Sequence, residues 1–162
     1  MSIPQSAQLR LQFLARIVRK EIRYLNSTDG RLFDSPFSRE KAQRLEADDN
    51  LAEQVDAFVS RFGRLQDTVG DNLLPLYLNA VGEKTGPAVD NLNRAEKLGL
   101  INSVDTWMAL RELRNQMIHE YIEDLDKLTD ALNQGHVHVS TLSEDAGRIL
   151  CDLEIRGWIQ SP

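Results

Sequence analysis

The chain has 162 residues, 41% of them hydrophobic and 27% charged, with a single cysteine. Those fractions are ordinary for a folded domain and exclude long disordered tracts, and 162 residues can bury a core without disulfides or a metal. A formal net charge of −6 argues against tight general binding to a long duplex, which asks for a basic face, but leaves room for a local basic cleft. Cys151 has no partner for an intrachain disulfide, and MSIPQSAQLRLQF shows no continuous apolar run of a secretory leader. No stretch approaches the roughly 20 apolar residues of a membrane span. The expected compartment is the cytoplasm, with no membrane partner.

The first helix is announced by Ala7, Leu11, Leu14, Val18, Ile22 and Leu25, spaced by threes and fours. Arg10, Arg16, Arg19, Lys20 and Arg23 make it basic. That stripe reads either as a solvated surface or as a face toward phosphate or a partner. Residues 26–37, NSTDGRLFDSPF, carry turn formers and read as a linker whose Leu32, Phe33 and Phe37 pack onto the rest. Ser38 is placed to cap the next helical element.

Leu51, Val55, Phe58, Val59, Phe62, Leu65 and Val69 repeat on one face of a second helix whose beginning stays open: Leu45 extends the pattern backwards, or Asp48, Asp49 and Asn50 mark a capped restart. Gly70 weakens that pattern, and Leu73, Leu74, Leu76 and Tyr77 continue it across Pro75. VGEKTG, residues 81–86, is turn-rich. It is not a phosphate loop, because its lysine precedes Thr85 and Gly86 instead of closing a GxxxxGK motif. A shorter helix comes next around Val89, Leu92 and Ala95 and stops at Gly99.

The periodicity of Trp107, Leu110, Leu113, Met117, Tyr121, Leu125, Leu128 and Leu132 predicts one long helix beginning after Asn102 or Ser103. NQG at 133–135 ends it, VHV connects, and Thr141 with Glu144 forms a capping box for the last helix, in which Cys151 is packing material. The expected fold is all-α: a single domain over 1–162, an antiparallel bundle of about five principal helices joined by short turns.

The string with chemical content is LRELRNQMIHEY, residues 110–121. Asn115 and His119 stand four apart on one side of the helix, while Arg114 and His119 diverge by about 140° on an ideal helix. Either the long arginine curls toward the histidine, or two copies of the helix face each other and pool their polar groups across a twofold axis. Histidine exchanges protons near neutral pH, and arginine clamps phosphate oxygens and stabilises charge gathering at phosphorus. Such a set suits cleavage of an RNA phosphodiester by its own 2′-hydroxyl, without a metal or other cofactor. His119 with Glu120 and Glu123, and the HxH of His136 and His138, lack a convincing set of zinc ligands. Arginine–glutamate pairs and tyrosines with buried rings are also ordinary helix furniture, so packing is the competing reading.

RNQMIHEY, residues 114–121, resembles the motif of the HEPN superfamily, specifically its HepT-like branch: arginine, four residues, histidine, one residue, tyrosine, with asparagine directly after the arginine. FGRLQDTVGDNLLP, residues 62–75, and its distance from the motif are similar too, so the resemblance covers roughly residues 40–133. It implies a HEPN-like helical bundle, a homodimer, and a metal-independent endoribonuclease acting as the toxin of a toxin–antitoxin pair. Arg114 and His119 would be catalytic and Asn115 would support the RNA-binding cleft. Tyr121 would be the residue adenylated by a minimal nucleotidyltransferase antitoxin, the partner that also links the branch to nucleotidyltransferase substrate-binding-like proteins. The basic first helix and the segment after residue 135 lie outside the resemblance. A noncatalytic helical module that binds a nucleotide or a nucleotidyltransferase is the alternative.

Overall fold

The computed structural model describes residues 2–162, without the side chains of residues 120–122. Every regular element described is a helix: α1 (Gln5–Leu32), α2 (Arg39–Gln43), α3 (Asp49–Asp67), a π-helical turn (Thr68–Leu73), α4 (Leu74–Ala80), α5 (Ala88–Lys97), α6 (Val104–Glu123) and α7 (Leu125–Ile155). The fold is an all-α bundle. Its frame is a ring of the four long helices α1, α3, α6 and α7, each antiparallel to its two neighbours.

Named contacts fix that ring. Arg61 of α3 donates to the backbone of Tyr24 and the hydroxyl of Thr28, and Thr68 donates to Glu21. Gly70 faces Trp107 and Gly63 faces Arg114 across the α3–α6 seam. Trp107 reaches Asp145, and Met117 meets Gly135, across α6–α7. Arg19–Glu154, Asn26–Ser143 and the Asp29–His136 contact close α7 onto α1. One continuous buried cluster, from Leu11 to Ile159, fills the centre.

The expected caps are present at Ser38, which accepts from the Lys41 amide at 3.1 Å, and at Asp48, which accepts from Leu51 at 3.0 Å. Leu32 and Phe37 are buried and Phe33 is packed against the core, as expected of that segment. Its first part is not a linker, however, because α1 continues through Leu32. Asn133 anchors the chain beyond α1, accepting from the Phe37 amide at 3.0 Å and donating to its carbonyl at 2.8 Å. Gly99 ends α5 in the left-handed region, with φ of 75°.

The expected boundary at residues 133–140 is wrong. α7 runs unbroken through NQGHVHV, and Thr141 and Glu144 lie inside it. The break falls at Asp124, whose side chain accepts from the amides of Asp126 and Lys127, both at 3.1 Å. Gly135 stays helical for a packing reason. A Cβ there would sit 3.1 Å from Met117 Cε and 3.2 Å from Phe58 Cε1, so the missing side chain lets α7 approach the core. Cys151 is exposed and not packing material, lying between the buried Ile149 and Leu150 on one side and Leu153 on the other.

Candidate functional site

The α3–α6 seam opens into a cleft of about 550 Å³. From α3 it takes Asp56, Val59, Ser60, Gly63, Arg64 and Asp67; from α6 it takes Arg114, Met117 and Ile118. The two segments singled out in the sequence, 62–75 and 110–121, therefore border the same space.

Arg114 crosses the seam. Its Nη1 donates to Asp67 Oδ1 at 2.5 Å, and it passes directly over Gly63, where a Cβ would lie 2.6 Å from Arg114 Nε. Any other residue at 63 would occupy the path of the guanidinium. Four residues beyond Asp67, in the π-helical turn, Asp71 accepts from Arg111 at 2.7 Å, giving the seam a second arginine–aspartate bridge. Arg64 lies exposed on the rim and donates to Ser60 at 3.1 Å.

Behind the rim, Thr68 opens the π-helical turn and donates to Glu21 Oε1 at 2.9 Å. Glu21 Oε2 is buried with no hydrogen-bond partner among the described residues. Burial pushes the Glu21 carboxyl above its ordinary range, against the lowering effects of the Thr68 hydrogen bond and the Arg64 charge, while Asp67 adds to the rise. A carboxylate short of partners therefore backs the α3 end of the cleft.

Of the predicted site residues, Arg114 is in the cleft. Asn115 and His119 are both exposed, on the strip of α6 beside the one that lines it, and Ile118 of the lining strip is itself half open to solvent. Arg114 turns to Asp67 on α3 rather than curling along its own helix. The Tyr121 side chain lies outside the described residues. Sequence reading gave no roles to Gly63, Arg64 and Asp67. The signal for them was a glycine between Phe62 and Arg64 on a strongly apolar-periodic helix, where glycine costs helix stability and so asks for a packing reason.

His136 has structural surroundings. His136 stacks on Phe33 with ring centroids 4.4 Å apart and holds Asp29 Oδ1 at 2.7 Å. Among the described residues, no group of three or more His, Cys, Asp or Glu is arranged to hold a metal ion. Nor is any helix among them long and apolar enough to cross a membrane. Compared with family models, curated proteins and solved structures, the chain matches none.

Proposed function

We propose that the chain is a metal-independent, HEPN-type endoribonuclease, the toxin of a pair with a minimal nucleotidyltransferase antitoxin. The observation that carries this reading is the meeting of residues 62–75 with Arg114 in one cleft. Both stretches that resemble the family contribute to a single concave surface holding two arginines.

In the proposed reaction His119 takes the proton of an RNA 2′-hydroxyl. The freed oxygen bonds to phosphorus, the bond from phosphorus to the 5′-oxygen breaks, and that oxygen leaves with a proton returned by an acid. Arg114 balances charge on the phosphoryl oxygens. To do so it exchanges Asp67 for phosphate. Both partners are partly exposed, with side-chain exposures of 32% and 42%, and such a pair contributes only about 0–1 kcal/mol. The exchange is therefore cheap. A homodimer that brings two α6 helices together would pool Arg114, Asn115 and His119 from both copies, and adenylation of Tyr121 would add bulk and negative charge where RNA enters.

Purified protein in EDTA should cut single-stranded RNA, leaving a 2′,3′-cyclic phosphate or its hydrolysis product. His119→Ala and Arg114→Ala should each remove most turnover while retaining helicity. Absence of cleavage of any cellular RNA by unmodified protein would sink the proposal. The Arg114–Asp67 bridge favours a second reading, a noncatalytic module that holds a nucleotide or a nucleotidyltransferase, because the guanidinium is already neutralised. That reading predicts a stable complex with such a partner and no histidine-dependent loss of RNA.

A further inference from the structure

Helix α1 carries a face that the cleft does not use. Leu9, Phe13 and Tyr24 are its exposed large apolar side chains, and the exposed Arg10, Arg16, Lys20 and Arg23 stand among them. Positions 9, 13, 20 and 24 fall along one strip of the helix. Arg10 lies over the Phe13 ring, 5.3 Å from its centroid, while Arg23 and Arg61 lie 5.1 Å and 5.4 Å from the centroid of Tyr24. Among the described residues, none of Arg10, Arg16, Lys20 and Arg23 is in an ion pair. This is a concentrated positive surface on a chain of net charge −6.

The strip also connects to the cleft. Tyr24, Glu21, Arg61 and Arg64 border a shallow depression between α1 and α3, and Arg64 is at the same time part of the α3–α6 cleft. We propose that the α1 strip, continued by Arg61 and Arg64, is a track for single-stranded RNA leading into that cleft, an inference that rests on the ribonuclease reading. Cations outside any ion pair suit phosphates, and aromatic faces at intervals suit unpaired bases. An anionic lipid surface fits less well. The broad apolar side of α1 is spent on the core, and three apolar groups separated by charges make a poor insertion face.

The test separates binding from cleavage by using a labelled 12-nucleotide 2′-O-methyl oligouridylate, which lacks the attacking hydroxyl, read by fluorescence anisotropy. The triple variant R10E/K20E/R23E should bind at least about tenfold more weakly and flatten the log-affinity against log-salt slope by about 2. Phe13→Ala and Tyr24→Ala should each weaken binding by about fivefold or more. A charge-matched control, R39E/K84E/K97E, should bind like wild type, and circular dichroism should show all variants folded. The track is overturned if the triple variant binds like wild type, if it binds no worse than the control, or if wild type binds phosphatidylserine vesicles but no oligonucleotide. Strip-dependent binding without cleavage of ordinary RNA would uphold the track while defeating the ribonuclease reading. Cleavage at undiminished affinity by the triple variant would do the reverse.

Discussion

Gly63 and Arg114 act as a pair, the absence of one side chain making room for the other. In Gly63→Ala the new methyl would lie 2.6 Å from Arg114 Nε, and the blocking atom belongs to a long side chain able to swing away. The roughly 1 kcal/mol gained by replacing glycine in a helix offsets much of the displacement. Thermal unfolding should therefore shift by only a few degrees, while the proposed RNA cleavage should fall to the level of Arg114→Ala. Full cleavage by a stable Gly63→Ala protein would show that the position of Arg114 over residue 63 is not used. Glu21 offers a second check. Its carboxyl is raised above 4.5 in the fold, so its contribution is fully present below that pH and is lost as pH rises through the folded value. At neutral pH the charge works against folding. Glu21→Gln, which keeps an oxygen to accept from Thr68, should raise the urea midpoint at pH 7 and give no gain at pH 4, where the wild-type carboxyl is protonated.

At the scale of elements, the amphipathic faces were legible because most helices bury a stripe at the expected period. Caps at Ser38 and Asp48 were legible because a short polar side chain before an apolar run has a direct local role. The α6–α7 boundary was not. The apolar period runs from Met117 through Leu125 and Leu128 without interruption and conceals Asp124, whereas Gly135 looks like a stop although its reason for being small is Phe58, 77 positions away in sequence. Of the cleft, Arg114 was singled out in the sequence, whereas its partner Asp67 was not, because it lies 47 positions off on another helix. Two glycines of α7 allow a direct check. Gly147 has nothing within 4 Å of a would-be Cβ, so Gly147→Ala should stabilise by about 0.5–1 kcal/mol. Gly135→Ala must push against Met117 and the Phe58 ring, and overpacking of about 1–3 kcal/mol outweighs the helix gain. Chemical denaturation should move the two midpoints in opposite directions.

Across the whole molecule, polar ties join helices that the apolar core has already brought together. Buried Asp145 of α7 accepts from the Trp107 indole at 2.8 Å and pairs with Arg148. Tyr77 of α4 donates to Asp152 of α7 at 2.6 Å, and Arg156 donates to the same carboxylate oxygen at 2.7 Å. Burial, then the hydrogen bond and charge of Asp152, push the Tyr77 hydroxyl from 10.0 up to about 12. Its neutral form is the one the fold holds, so this stabilisation is complete below pH 10 and is lost as pH rises through about 12. Wild-type stability measured from pH 9 to pH 12 should fall more steeply than that of Tyr77→Phe. Equal slopes would mean that the tie between α4 and α7 does not respond to this proton.

The single-residue connection at Asp124 also bears on the order in which the ring is built. It joins two long helices that can fold back on each other at almost no cost in chain entropy, whereas the seam of α1 with α7 brings together Arg19 and Glu154, 135 positions apart. By the same measure the α6–α7 hairpin and the α1–α3 pair, in which Arg61 meets Thr28 33 positions away, should both form before the α1–α7 seam closes. A molecule whose ring is still open at that seam already holds the basic strip of α1 against α3, beside Arg61 and Arg64.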